Sequence, residues 1–265
     1  MRQNAIIRIE VIFLNSKTYI ETASTVAGIT LKHAAFPESY NMALHSCHDE
    51  MAIIHNRKQL ANALQMDLSQ FVCAEQTHSE NFHRVTIDDI GRGTTTMSNA
   101  IANTDGLYTF EKNIVLCSFS ADCVPVFIYD ETRGMVGAIH SGWQGTVKEI
   151  TKKMLDHLIK NEQLNPQNIH VQIGMALSQQ RFEVDCDVYE KFAALGYADD
   201  FMYFNEATSK YHIDNQLTVK QQCVLAGVRE ENIAIDRTCT FNSDEGFSYR
   251  QDRRAGRHLS FIYQQ

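Results

Sequence analysis

Residues 120–149 read SADCVPVFIYDETRGMVGAIHSGWQGTVKE, with two apolar runs, 124–129 and 135–140, flanking Asp130-Glu131-Thr132-Arg133-Gly134. Two β-forming runs separated by a short polar stretch that ends in Gly predict a hairpin. If Tyr129 and Met135 close the loop, Val124 faces His140 and Cys123 faces Ser141; a slip of one residue sets Cys123 opposite His140. Either register brings the thiol and the imidazole to one end of the ladder, where cross-strand Cβ atoms lie roughly 4.5–5.5 Å apart. The slipped register also points both side chains to the same face.

Beyond the hairpin, Thr146 and Glu149 have capping-box spacing, which starts a helix just after Gly145. Val147, Ile150, Met154 and Leu158 draw one apolar stripe, so the helix is expected over 147–159. Further helices are expected over 51–64 and over 215–226, the second closed by Gly227. Strands are expected at 6–13 (an edge strand), 114–119, 169–173, 233–236 and 259–263. Strands and helices interleave, no internal repeat occurs, and three prolines form no linker. The expectation is an α/β sandwich in a single domain, residues 1–265.

The chain has 265 residues, 44% hydrophobic and 21% charged, which is globular composition. A chain of that length buries a core without disulfide or metal staples. Lys and Arg total 24 against 32 Asp and Glu, a formal charge of -8, which argues against nucleic acid as a partner. No stretch approaches the roughly 20 apolar residues of a membrane span, and Arg8 and Glu10 interrupt the N-terminal apolar residues, so neither a membrane segment nor a signal peptide is expected. Seven cysteines without a CxxC pair read as reduced thiols in a cytoplasmic protein.

A thiol beside an imidazole has two chemical readings. Cys123 is a nucleophile with His140 as its base, or the two are zinc ligands, since a catalytic zinc takes three Cys, His or carboxylate ligands and keeps a fourth position for water or substrate. The plain alternative is a buried Cys packed near a core His. Asp122 before the Cys and the SGWQG turn after the His weigh toward chemistry. For a third ligand, His78 in CAEQTHSENF is the first candidate and His83 the second. Gly142 and Gly145, ahead of a helix, offer a generic phosphate site. His45-Ser-Cys-His48 has metal-like spacing but reads better as a surface loop. Arg250, Arg253, Arg254 and Arg257 suit bidentate contacts to phosphate or carboxylate, or a solvated face.

The motifs QTH (76–78), TDGLYT (104–109), ADCVPVFIYD (121–130) and AIHSGWQGT (138–146) resemble the YfiH-type laccase-domain family. CT (239–240) and FSYRQDRRAGR (247–257) are similar to that family's C-terminal signature, and the resemblance runs from about Asn41 to the C-terminus. It implies an α/β/β/α layered sandwich of the cytotoxic-necrotizing-factor/YfiH-like superfamily. It implies also a zinc-dependent phosphorylase of purine nucleosides (adenosine, inosine, guanosine, methylthioadenosine) with adenosine deaminase activity, in a family first described as copper polyphenol oxidases. The family's metal ligands and catalytic residues fall on His78, Cys123 and His140, holding one zinc with water in the open position; copper is a possible substitute. Purine nucleosides and phosphate are the implied partners, with Asn41, Arg57, Gly142, Gly145 and Arg250 as candidate contacts. The chain departs from the family pattern at Ser79, Gln144, Gln251 and the segment Ser24–Gly28. Two rivals are a metal-free cysteine hydrolase using Cys123 and His140, and a copper polyphenol oxidase. None of the 11 histidines forms the HxH pair typical of multicopper sites, which weakens the second.

Overall fold

The computed structural model describes residues 15–265, and the strand expected at 6–13 lies outside the described residues. One sheet has β1 (Ser16–Glu21), β2 (Thr25–Thr30), β14 (His258–Gln264), β6 (Val115–Ser120) and β3 (Phe71–Val72), in that spatial order. A second runs β13 (Ile233–Ile235), β9 (His170–Ile173), β7 (Val124–Asp130), β8 (Met135–Ser141), β5 (Gly106–Thr109) and β4 (Phe82–Arg84). A small third sheet orders β10 (Glu183–Val184), β12 (Lys210–Ile213) and β11 (Met202–Asn205). The helices are α1 (Glu50–Ala63), α2 (Trp143–Val147), α3 (Ile150–Lys160), α4 (Cys186–Ala193) and α5 (Asn215–Leu225).

The period-two alternation of the strands sorts their side chains into layers. On β6, Val115, Cys117 and Phe119 pack with Leu60 and Ala61 of α1, while Leu116 turns the other way. On β7, Phe127 joins Leu116, Val136, Ala138 and Ile262 between the two large sheets. Its neighbours Val126 and Ile128 face Ile150, Met154 and Leu158 of α3 and Val219 of α5. The result is the expected α/β/β/α sandwich, with one apolar core between each pair of adjacent layers. Burying a side chain such as Phe127 contributes roughly 1.5–3 kcal/mol. On β8, Val136 and Ala138 face the gap between the sheets, so His140, two residues further on, opens onto the end of that gap.

Two local expectations are corrected. The hairpin pairs Val124 with Ser141 and Pro125 with His140, one residue away from the first expected register and opposite in direction to the slip that would have paired Cys123 with His140. The cause is Asp130, whose buried Oδ1 accepts from Thr132 N (2.9 Å), Thr132 Oγ1 (2.6 Å) and Arg133 N (3.2 Å). That side chain closes the turn itself, so Asp130 joins the strand opposite Met135 and the loop shrinks to Glu131–Gly134. Cys123 thereby falls just before β7 instead of within the ladder.

The helix expected over 147–159 is broken. Glu149 takes a left-handed conformation (φ 62°) between α2 and α3. The capping box does not form, because the Thr146 hydroxyl is engaged with Ser141 Oγ (2.9 Å) and Gly142 O (3.2 Å). The apolar stripe survives: Ile150, Met154 and Leu158 remain on the core face of α3.

Candidate metal centre and cleft

The ends of four chain segments meet where the two large sheets part. His140 is the penultimate residue of β8, Cys123 precedes β7, His78 follows β3, and Asp105 precedes β5. Sequence reasoning passed over Asp105, since a lone Asp before a strand reads as turn chemistry. Its carboxylate nonetheless organises the site. It accepts from His78 N (3.1 Å), Ser79 N (2.7 Å), Ser79 Oγ (2.7 Å) and Thr77 N (3.2 Å). It also lies 2.8 Å from His140 Nδ1, while its backbone oxygen accepts from His140 N at 2.8 Å. With Nδ1–H given to Asp105, the Nε2 of His140 is left for a ligand. Burial would raise the Asp105 carboxyl, but His140 and then Ser79 outweigh it and hold it at about 2.

Each ligand segment is pinned from behind. Gln76 clasps the backbone of Phe119, donating to its oxygen (2.8 Å) and accepting from its N–H (2.7 Å). Lys148 Nζ donates to His78 O at 2.7 Å. His78 (φ 57°) and Asp122 (φ 82°) adopt left-handed backbone conformations that non-glycine residues seldom take, and such strain gathers at functional sites. Asp122 is held by Thr240 Oγ1 (2.6 Å), Ser248 Oγ (3.0 Å) and Arg250 N (2.7 Å). The distant CT and FSYR motifs thus converge on the residue that positions Cys123.

The ligand atoms of His78, Cys123 and His140 lie within 4.8 Å of one another. Cys123 Sγ is 3.9 Å from His78 Nε2, and the two imidazole rings meet edge to face at 4.8 Å. Burial would raise the Cys123 thiol, but His140 and then His78 draw it down to about 6. Burial would likewise lower His140, yet Cys123 and Asp105 raise it to about 9. The pair favours thiolate and imidazolium, and a cation placed between them would displace the imidazolium proton.

The donor set fits a metal ion. One sulfur and two imidazole nitrogens form the three-ligand arrangement of a catalytic zinc. Gly142 supplies the room: a Cβ there would come within 2.7 Å of His78 Cδ2 and 3.0 Å of Cys123 Sγ. Its own backbone (φ −66°, ψ 165°) is open to any residue, so space around the ligands, not conformation, calls for glycine.

Among the described residues this is the one metal-capable group of three or more His, Cys, Asp or Glu side chains. His83 pairs instead with Asp89 at 3.1 Å, and Cys47 Sγ donates to Leu44 O, so neither His83 nor the 45–48 stretch joins it. Gly145 packs against Ile150 and the carbonyls of Ser79 and His140, surroundings that suit no anion. Neither Asn41 nor Arg57 lines the cleft over the centre. Asn41 ties loops through Ser46 O (2.6 Å), Ala43 N (3.0 Å) and Arg257 N (2.8 Å). Arg57 is buried and donates to the carbonyls of Met42, Gly93 and Thr94. Arg250 does line the cleft, with Nη1 on Glu183 O (2.9 Å), and Arg253 lies beside it.

That cleft has a volume of about 540 Å³, with His78 and Cys123 in its lining. Trp143, Leu177, Phe182 and Val188 give it an apolar wall, while Glu183, Asp185 and Asp187 bring carboxylates to it and Arg250 and Arg253 guanidinium groups. A concave site that joins an apolar wall to convergent polar groups beside perturbed titratable residues is a usual setting for small-molecule binding. Among the described residues no helix is long and apolar enough to cross a membrane.

A four-layer sandwich with a His/Cys/His group able to hold a metal at the end of its inter-sheet gap, beside a cleft of mixed apolar and polar lining, is suited to small-molecule chemistry. The sequence pattern of the multi-copper polyphenol oxidoreductase laccase family matches residues 26–265, and the chain belongs to that family. It is 33% identical over 253 residues to the purine nucleoside phosphorylase YlmD of Bacillus subtilis (strain 168), covering 93% of this chain and 91% of the relative. The purine nucleoside phosphorylase YlmD of Geobacillus stearothermophilus is 34% identical, with 91% and 90% covered. Among solved structures, the hypothetical protein YfiH of Bacillus licheniformis superposes with a TM-score of 0.87 at 33% identity, covering 94% of this chain and 99% of that one.

Proposed function

We propose that this chain is a zinc-dependent purine nucleoside phosphorylase that accepts adenosine, inosine, guanosine and methylthioadenosine, with adenosine deaminase as a second activity. The observation that carries the reading is the His78–Cys123–His140 group, two of whose members, His78 and Cys123, line a nucleoside-sized cleft, in a chain a third identical to proteins of that name. Zinc held by these three residues supplies Lewis-acid chemistry with an open position.

The chain's own residues do the rest. Trp143 and Phe182 offer aromatic faces to the base, and the apolar wall excludes water from it. Arg250 and Arg253 at the rim offer guanidinium donors to phosphate. Asp105 fixes the tautomer of His140 and the loop of His78, so the site is preorganised before substrate arrives. In phosphorolysis a phosphate oxygen bonds to the anomeric carbon, the bond from that carbon to purine N9 breaks, and its electron pair leaves with the base, which takes up a proton. In deamination water adds at C6 of adenosine and ammonia departs, leaving inosine.

The test is phosphate-dependent release of hypoxanthine from inosine by the purified protein, with ammonia release from adenosine in phosphate-free buffer measured alongside. Base release no greater than that of a Cys123→Ala control removes the phosphorylase reading. The low-lying Cys123 thiol beside two imidazoles favours one other reading, a metal-free cysteine hydrolase. Activity that persists after metal removal and is abolished by iodoacetamide selects that alternative; activity restored by zinc and lost in Cys123→Ala selects the phosphorylase.

A further inference from the structure

The charges that line the cleft are not equivalent. Each of its three carboxylates has a basic partner of its own: His212 Nε2 lies 3.6 Å from Glu183, Lys210 pairs with Asp185, and Lys191 lies 3.9 Å from Asp187. Among the described residues neither Arg250 nor Arg253 pairs with a carboxylate. The Arg250 side chain touches one protein acceptor, Glu183 O at 2.9 Å, which leaves guanidinium donors for an anion in the cleft.

Arg250 has a second connection, through its backbone. Its N–H and the Ser248 hydroxyl donate to Asp122 Oδ2 (2.7 and 3.0 Å), Thr240 Oγ1 donates to Oδ1 (2.6 Å), and Leu177 N donates to Asp122 O (3.0 Å). Asp122 is thus tied to two residues of the cleft wall, Leu177 and Arg250, and is joined covalently to Cys123. Its left-handed backbone (φ 82°) is one that a non-glycine residue keeps only while its surroundings hold it there. When those bonds slacken the backbone relaxes, the peptide between 122 and 123 turns, and the Cys123 sulfur leaves its place beside His78 and His140. The anchors are unequally secured. Thr240 and Ser248 are buried, whereas Tyr249 is 48% exposed and Arg250 is exposed as well. The arm that reaches the cleft is the one a ligand can steady.

We propose that Asp122 couples the cleft rim to the metal centre: an anion held by the Arg250 guanidinium steadies the 248–250 arm, keeps Asp122 in its left-handed conformation, and so tightens the grip of Cys123 on the metal. The coupling is reciprocal, and metal at Cys123 tightens the anion by the same factor. Asp122 is a positioning residue in this scheme, acting through Cys123 on one side and Arg250 on the other. The proposal deepens, and rests on, the reading that phosphate sits at the rim.

The experiment measures zinc affinity by competition against a chelating dye, with and without saturating inorganic phosphate. The dye reports free zinc, so zinc bound by phosphate in solution cancels. Calorimetry on the zinc-loaded protein measures phosphate binding itself. Phosphate is expected to tighten zinc about five- to tenfold in wild type, the low end of the usual coupling between sites. Asp122→Gly accepts the left-handed backbone but lacks the carboxylate; its zinc affinity is expected to be lower and indifferent to phosphate. A merely structural residue would lower zinc affinity equally in both buffers and leave the phosphate gain intact, and that result overturns the proposal. Wild type that binds phosphate without any change in zinc affinity overturns it too. Should Asp122→Gly not fold, Ser248→Ala removes one donor from the same arm: a diminished gain supports the coupling, and an undiminished one overturns it. Wild type that binds no phosphate overturns the rim reading itself, and the coupling with it.

Discussion

Replacing Gly142 with Ala adds one methyl group where the structure has least room for it. The backbone angles suit alanine, so no conformational cost enters. The new Cβ stands 2.7 Å from His78 Cδ2, 3.0 Å from Cys123 Sγ and 3.2 Å from His78 Nε2. To regain an ordinary contact of roughly 3.5 Å the His78 ring must retreat by well over half an ångström, about 0.8 Å. Metal–ligand distances tolerate only about 0.2 Å. The displaced ring therefore surrenders much of its bond, and zinc affinity is expected to fall roughly 10–100-fold, the range seen when ligand placement is disturbed. Overpacking costs the fold about 1–3 kcal/mol, so the variant remains folded at room temperature. Competition against a chelating dye measures the affinity, and urea unfolding of the metal-free protein measures the stability. Unaltered zinc affinity in a folded Gly142→Ala protein would refute the placement of the ligands around this glycine.

Three further outcomes are expected. Asp105→Asn removes the charge that orients His140 and the His78 loop, so zinc affinity in the same competition assay should drop about 10–100-fold; a drop confined to stability would make Asp105 a folding residue only. Chelation should destabilise wild type: zinc at a hundred times its dissociation constant adds about 2.7 kcal/mol to unfolding, and Cys123→Ala should show no chelator-dependent shift in Tm. His258 reports on pH. Burial holds its imidazole at about 4 against 6.5 for a free one, with Nε2 accepting from Phe247 N (2.7 Å) and Nδ1 at 2.6 Å from Thr30 O. Between those values the unfolded chain binds a proton that the folded chain refuses, so stability falls as pH drops from 6.5 toward 4, by about 3 kcal/mol in all. Urea midpoints across that window should show the acid loss in wild type and a shallower one in His258→Gln; identical slopes would contradict the buried neutral imidazole.

The two apolar runs 124–129 and 135–140, parted by a polar stretch ending in Gly, made the central hairpin legible, and the apolar stripe made the α3 face legible, because both are local patterns. Their fine placement was not. The Asp130 side chain moved the register by one, and the Thr146 hydroxyl chose Ser141 and Gly142 over a capping box, choices between near-equal local hydrogen bonds. His140 and Cys123 could be paired from sequence because a single hairpin joins them, and the family resemblance singled out His78 over His83. Asp105 could not be found that way. It is an ordinary residue ahead of a strand until the fold brings it to His140. The cleft wall escaped for the same reason, since Trp143 comes from α2, Leu177 and Phe182 from the connection between β9 and β10, and Val188 from α4. The C-terminal arginines were legible as a cluster, but their divided roles were not. Arg250 holds Asp122 through its backbone and faces the cleft, whereas Arg257 stacks over Tyr249 at 5.7 Å.

An anomalous-difference map at the zinc edge, from crystals of the protein purified without chelator, bears most directly on the metal centre. One peak is expected, at about 2.3 Å from Cys123 Sγ and about 2.0–2.1 Å from one nitrogen of each of His78 and His140, with a fourth position free of protein atoms. A map without a peak between these three residues, or with zinc bound elsewhere on the chain, would contradict the account.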